Sequence, residues 1–171
     1  FKYLFSDMGR IGNSRGASSV AFDLGVLYKC EINDWEGAGW SVGLHVSNLG
    51  PKINYLTSKD ALPATVKVGG AADLPFLQMH KLTLTADLGY RLSPADVQAL
   101  SVSAGAEYAW RELVMLRGGY HCGDKKKGDA SYATAGAGVE YAGVRLDFAW
   151  LFAGHEYLAR NTFWVSLGYS F

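Results

Sequence analysis

Charged side chains recur at alternate positions in the second half of the chain, and they are the residues best suited to chemistry. Glu107, Arg117, Glu140, Arg145 and Asp147 all stand between apolar or small neighbours. Alternate residues of a β-strand point to the same face, so we expect these five side chains to share one face of a sheet. Carboxylates and guanidinium groups on neighbouring strands form ion pairs. The sequence therefore predicts an inner charge network, which either neutralises itself or gates a ligand.

Other reactive residues lack the spacing that catalysis or metal binding requires. His45, His80, His121 and His155 fall on separate predicted strands or turns, and two cysteines match no zinc-binding spacing. His155–Glu156 begins like a zinc-protease motif, but no second histidine follows at helical spacing. Serine, histidine and aspartate residues are scattered without a strained nucleophile turn. We therefore predict a protein that is not an enzyme, with no catalytic residue, metal or cofactor.

Alternation of apolar and polar residues with a period of two predicts the strands that carry these side chains. It is clearest at the end of the chain, where Phe163, Val165, Leu167, Tyr169 and Phe171 point one way. About nine segments of roughly ten residues show the same pattern. They cover residues 20–28, 40–46, 64–72, 82–90, 102–110, 114–120, 133–141, 144–152 and 163–171.

The length and aromatic content of these strands favour a membrane β-barrel. Strands of about ten residues suit a tilted bilayer crossing, and aromatic residues gather near strand ends as in interfacial girdles. The chain also stops on an alternating strand that ends in Phe171, which is typical of outer-membrane barrels. A soluble barrel or sandwich would invert the two faces, and alternation alone does not separate the two. We predict an all-β fold, a transmembrane antiparallel β-barrel with its apolar face toward lipid.

Connections between the predicted strands alternate in length, as membrane barrels require. Residues 110–113 and 142–143 are tight turns, whereas residues 48–63, 92–100, 122–131 and 154–161 form longer loops. With the C-terminus in the periplasm, all of the long loops fall on the extracellular side. The 16 acidic and 16 basic residues balance, which gives no electrostatic reason to expect a nucleic-acid partner.

Three stretches of the N-terminal half resemble a known family. They are DLGVLY (23–28), GWSVGLHVSNLGPKINY (39–55) and LPATVKVGGA (62–71), with SNLGPKI and the LP that opens the next strand the most specific. These stretches are similar to the PorV/PorQ family, FadL-like outer-membrane proteins of the type IX secretion system of Bacteroidota. The resemblance implies a fourteen-stranded barrel. Residues 1–171 then form a single β-barrel domain, the C-terminal part of such a barrel without its N-terminal strands, and residues 1–4 look like the end of an upstream strand.

The resemblance also implies a function in the bacterial cell outer membrane. Members of the family are non-enzymatic shuttle or attachment factors whose partners are the translocon, the surface sortase and the C-terminal domains of secreted cargo. Membrane lipid or lipopolysaccharide would surround the barrel, and no nucleic acid is implied. The extracellular loops would make the partner contacts, and the candidates are Asn48, Pro51, Tyr55, Lys125, Lys126, His155, Glu156 and Tyr157. The alternative is a FadL-like channel for small hydrophobic solutes, which needs an apolar pocket or an open route.

Overall fold

The computed structural model describes residues 1–6, 17–54, 59–154 and 161–170. Strands make up most of these residues, with two short 3₁₀ turns at Ala95–Val97 and Lys125–Lys127. The strands are β1 (Lys2–Ser6), β2 (Ala17–Glu31), β3 (Gly39–Leu49), β4 (Ile53–Asn54), β5 (Lys59–Asp60), β6 (Thr65–Phe76), β7 (His80–Arg91), β8 (Leu100–Trp110), β9 (Val114–Cys122), β10 (Tyr132–Tyr141), β11 (Val144–Ala153) and β12 (Phe163–Tyr169).

Ten of the strands form one antiparallel sheet in which sequence neighbours are also spatial neighbours. The order is β1-β2-β3-β6-β7-β8-β9-β10-β11-β12, and β4 and β5 pair with each other inside the connection between β3 and β6. The all-β antiparallel fold is therefore confirmed. The nine predicted strands are the long strands from β2 onward, and β1 corresponds to the residues that resemble the end of an upstream strand. No helix in the described ranges is long and apolar enough to cross a bilayer.

The sheet has one apolar face and one polar face, which we call the outer face and the inner face. On β9, Leu116 and Tyr120 are exposed on the outer face, while Arg117 and His121 are half-buried on the inner face. Large apolar side chains stay open across the outer face, and Leu167 keeps 76% of its surface accessible. Exposing such a side chain to water forfeits about 1.5–3 kcal/mol relative to burial. A face of this extent is typical of a barrel wall that contacts lipid.

The connections divide the sheet into a tight-turn end and a long-loop end. Three tight turns lie at the tight-turn end: residues 77–79 and 111–113 each span three residues, and residues 142–143 span two. Each turn contains two consecutive residues with positive φ, namely Leu77 and Gln78, Arg111 and Glu112, and Ala142 and Gly143. In the two-residue turn at Ala142–Gly143, positive φ at both residues is characteristic of type I′, whose twist matches that of the flanking strands. The hairpin of residues 32–38 joins β2 to β3 at the same end, whereas residues 50–64, 92–99, 123–131 and 154–162 connect strands at the other. The predicted division of short and long connections is therefore present.

Strand β2 is longer than the alternation predicted. The pattern missed its first residues because a loop covers them and they are small. The prediction began this strand at Val20, whereas β2 starts at Ala17. Its first residues lie beside the connection between β3 and β6, and the side chain of Ala21 is fully buried. The Ser19 hydroxyl donates a 3.0 Å hydrogen bond to the Pro51 carbonyl. The loop thus folds onto the inner face, where small residues give no clear apolar period.

Candidate functional site

The five charged residues of the predicted network lie in one continuous chain of ion pairs on the inner face. The Arg117 Nε is 2.5 Å from the Glu107 carboxylate, and its Nη1 is 2.5 Å from Asp147 Oδ1. The Arg145 Nε lies 2.7 Å from Asp147 Oδ2, and its Nη1 lies 3.8 Å from the Glu140 carboxylate. The order of the chain is therefore Glu107, Arg117, Asp147, Arg145 and Glu140. We call these residues the inner charge network.

Strand register explains two of these contacts directly. Glu107 on β8 stands opposite Arg117 on β9, and Glu140 on β10 stands opposite Arg145 on β11. Directly opposed residues have Cβ atoms about 5 Å apart, so oppositely charged pairs form across the two strands. Each of these pairs needs only a correct hairpin register, which the tight turns at residues 111–113 and 142–143 impose.

The contact between Arg117 and Asp147 needs a further feature, because β10 lies between their strands. The residue opposite Asp147 on β10 is Gly138. A Cβ atom built at Gly138 would lie 2.5 Å from Asp147 Oδ1 and 3.1 Å from Arg117 Nη1. The missing side chain at this position therefore leaves the space in which the guanidinium crosses β10 and reaches the carboxylate.

A methyl group at residue 138 is expected to weaken the network. We expect Gly138→Ala to lower the free energy of unfolding by about 1 kcal/mol relative to Gly168→Ala, because only the first methyl displaces the ion pair. Gly168 also faces the network, but among the described residues a Cβ there would meet only one atom within 4 Å, the Arg145 Cβ at 3.9 Å. The measurement is denaturant unfolding in detergent, followed by the gel shift between folded and unfolded forms. Equal stability of the two variants would contradict the crossing role of Gly138.

The network makes this part of the inner face polar without leaving strong unpaired charge. Its three carboxylates and two guanidinium groups sum to a formal charge of −1, and each group has at least one oppositely charged partner. A second set of paired side chains also lies toward the tight-turn end of the sheet. There Asp73 accepts hydrogen bonds from Thr83 at 2.7 Å and from Lys81 at 3.1 Å. Such pairing suits a wet interior, and an apolar solute gains nothing from contact with it.

Two predicted partner residues, Asn48 and Pro51, have their polar groups engaged within the protein. The Asn48 backbone N–H donates to Asp23 Oδ1 at 2.8 Å, and its side-chain amide donates to the Pro63 carbonyl at 3.1 Å. Lys2 pairs with the same aspartate at 2.7 Å. The Pro51 carbonyl accepts the Ser19 hydroxyl, as described above. These contacts fix the base of the loop, and the exposed ring of Pro51 is the part of the two residues most open to a partner.

Lys125 and Lys126 lie exposed in the 3₁₀ turn of the loop between β9 and β10. Asp124 holds this turn, since its carboxylate accepts the Lys126 N–H at 2.9 Å. The next residue, Lys127, links the loop to its neighbour: its carbonyl accepts from Arg91, and its ammonium donates to the Asp96 carbonyl, each at 3.1 Å. The loop is thus held in place while two lysine side chains point into solvent. The remaining candidates, Tyr55, His155, Glu156 and Tyr157, lie outside the described residues.

The structure also gathers three residues that the sequence left apart. Ser103 Oγ lies 3.0 Å from His121 Nδ1, and His121 Nε2 lies 3.0 Å from Asp129 Oδ1. An ionised aspartate only accepts hydrogen bonds, so His121 Nε2 is the donor in the contact with Asp129. Ser103 lies in the middle of β8, which is paired with a strand on each side. The backbone N–H groups around it therefore bond within the sheet and do not form an oxyanion hole. The contact fastens the loop of residues 123–131 to the inner face.

Sequence comparison places the chain in a family. The family model described as Type IX secretion system protein PorV matches residues 1–98, which is more than half of the 171 residues. No curated protein matches the chain. The matched residues include β1 to β7 and thus the loop that folds onto the inner face. The chain therefore belongs to the PorV family of type IX secretion system proteins.

Proposed function

We propose that this protein is a non-enzymatic outer-membrane component of the type IX secretion system that binds other proteins through its long-loop end. Its partners would be secreted cargo, the translocon and the surface sortase, for which it acts as a shuttle or attachment factor. The observation that carries the proposal is the grouping of the long connections at one end of the sheet, in a chain of this family. Connecting loops positioned by a rigid sheet are where binding residues concentrate.

The outer face supports the membrane part of the proposal. Its exposed apolar side chains, such as Leu24 and Leu167, would be costly in water but are favourable against acyl chains. The tight-turn end would then face the periplasm, and the long-loop end would face the cell exterior, where cargo and sortase meet the protein.

The inner charge network favours protein binding over a channel for small hydrophobic solutes. A route along the inner face toward the tight-turn end would pass Arg117, Asp147 and Arg145, whose charges are paired with one another. Moving an apolar molecule along such a surface offers no compensating burial of apolar area. We therefore place solute transport second.

Site-specific photocrosslinking in the full-length protein tests which end binds partners. A photoreactive amino acid is placed at Lys52 or Lys126, both exposed at the long-loop end, and at Gln78 or Glu112, both exposed at the tight-turn end. We expect the first pair to crosslink secretion-system proteins or cargo in intact cells and the second pair to crosslink none of these. Mass spectrometry identifies the crosslinked proteins, and cell fractionation checks that all variants reach the outer membrane.

Two results would overturn the proposal. One is crosslinking of cargo, translocon and sortase from the tight-turn positions alone. The other is the absence of these proteins from every crosslink and from the material that copurifies in mild detergent, together with loss of hydrophobic-solute uptake when the protein is removed. The second result would establish the channel instead.

A further inference from the structure

The inner face carries a hollow at the middle of β2, β3, β6 and β7. Gly43 of β3 and Gly69 of β6 stand directly opposite each other and form its floor. Leu27 of β2 stands opposite Gly43 on one side, and Asp87 of β7 stands opposite Gly69 on the other. Because neither glycine has a side chain, the floor is bare backbone that a ligand can approach closely. The hollow has a volume of about 530 Å³, which is enough for one small molecule.

Two opposite charges meet at this hollow without pairing. Lys67 stands opposite Gly89, two positions from Asp87 on the same face of β7. A Cβ atom at Gly89 would lie 3.5 Å from Lys67 Cγ and 3.7 Å from its Cε, so the lysine chain extends over β7 beside the aspartate. Among the described residues, however, neither Lys67 nor Asp87 forms an ion pair, in contrast to the inner charge network. Opposite charges that lie side by side but apart leave a place for a ligand group that carries both signs.

Leu27 gives the hollow an apolar wall. The residues that share the inner face of β2 with it include Asp23, Gly25 and Lys29, yet the leucine keeps 62% of its surface accessible. A Cβ atom at Gly43 would lie 3.4 Å from Leu27 Cδ1, so the side chain leans over the edge of the floor. An exposed leucine on a polar face is unfavourable in water. A flat apolar group that lies on the glycine floor would cover it.

We propose that the hollow binds one aromatic α-amino acid as a zwitterion. The α-carboxylate binds Lys67, the α-ammonium binds Asp87, and the ring lies on the glycine floor against Leu27. A hydrophobic solute would leave both charges unpaired, and an inorganic ion would leave the leucine uncovered. An aromatic amino acid satisfies both, because its two charges are attached to one carbon and its ring is flat and apolar. The proposal goes beyond protein binding at the long-loop end and does not depend on it.

Isothermal titration calorimetry on the full-length protein in detergent micelles tests the proposal. L-phenylalanine is titrated first, followed by hydrocinnamate, which lacks the ammonium group, and phenethylamine, which lacks the carboxylate. Protein-free micelles give the background heat. We expect one molecule of L-phenylalanine to bind per chain. Each of the other two probes should bind about tenfold more weakly, because each leaves one charge of the hollow unpaired.

Substitution of the two charged residues locates the site. We expect Lys67→Gln and Asp87→Asn each to raise the Kd for L-phenylalanine about tenfold, because each removes one charged contact. The matched controls are Lys52→Gln and Asp60→Asn, which remove exposed charges from a long loop and should leave the Kd within about twofold of the native value. The gel shift between folded and unfolded forms checks that every variant is folded.

Substitution of Leu27 tests the position of the ring. Leu27→Ala should raise the Kd about threefold through lost apolar contact, whereas Val26→Ala, at the next residue on the outer face, should leave it unchanged. The proposal would be overturned by the absence of heat above background, by equal Kd values for the three probes, or by native affinity in both Lys67→Gln and Asp87→Asn. The assay contains no secretion partner, so its failure is separable from failure of the crosslinking test.

Discussion

Replacement of Arg117 by methionine is expected to lower the free energy of unfolding by about 2 kcal/mol. Arg117 bridges Glu107 and Asp147 with two contacts of 2.5 Å, so among the described residues its loss leaves Glu107 without an ion-pair partner and Asp147 with Arg145 alone. Loss of one partner from a fully buried pair costs about 3–5 kcal/mol. The Arg117 side chain keeps 28% of its surface accessible, which reduces the expected cost. Denaturant unfolding in detergent micelles provides the measurement.

Two further variants separate the loss of charge pairing from loss of side-chain packing. Adding Glu107→Gln to Arg117→Met removes the unpaired carboxylate and should restore part of the lost stability. Arg111→Met is the matched control, because Arg111 is exposed in a tight turn and its side chain contacts only the Trp110 ring and the Met79 sulfur among the described residues, so it should change stability by less than about 1 kcal/mol. No recovery in the double variant would show that the network does not set the stability of this region.

Replacement of Gly50 by valine is expected to release the loop between β3 and β6 from the inner face. A Cβ atom at Gly50 would overlap the Val20 carbonyl oxygen and lie 2.9 Å from Leu62 Cδ1. The oxygen belongs to the backbone of β2 and cannot move aside without disturbing the sheet, so the loop must move instead. A loss of about 2 kcal/mol in local stability corresponds to roughly 30-fold more open loop. Trypsin should then cleave after Lys52 about 30 times faster.

Gly154→Val is the control for this experiment, because a Cβ at Gly154 has no neighbour within 4 Å. Cleavage after Lys52 should keep its native rate in that variant, and the pattern of sites elsewhere in the chain should be the same in both proteins. An unchanged rate in Gly50→Val would contradict the close approach of this loop to β2. Global unfolding would be recognised by equal acceleration at every trypsin site.

The positions of the long strands could be predicted from the sequence because each has one apolar face and one polar face. Strands β9 and β11 begin at Val114 and Val144, as the alternation predicted, and the two-residue turn at residues 142–143 was also recognised. The prediction was less accurate for β2, where Ala17, Ser19 and Ala21 are buried beneath a loop. Because small residues stand on both faces there, the two faces hardly differ in hydrophobicity. The alternation with a period of two is therefore lost although the strand continues.

The candidate site could be predicted only in part, because contacts between strands depend on register. Alternation placed Arg117 and Asp147 on one face, but their contact across β10 required knowing that Gly138 lies between them. The set of Ser103, His121 and Asp129 was missed for a related reason. These residues come from two strands and a loop that folds back over the sheet, and no spacing in the sequence encodes that fold-back.

The two- and three-residue turns at the tight-turn end have a consequence for how the sheet assembles in time. They join β6 to β7, β8 to β9 and β10 to β11, so each of these pairs closes over very few residues. Such hairpins form within about 1–10 μs, and low sequence separation between contacting residues speeds the search for the native topology. The pairing of β3 with β6 is different, because it must first close the 15-residue interval from Leu49 to Thr65. The hairpins with the shortest turns are thus expected to form first and the pairing of β3 with β6 later, and the loop that covers β2 is placed only when that pairing forms.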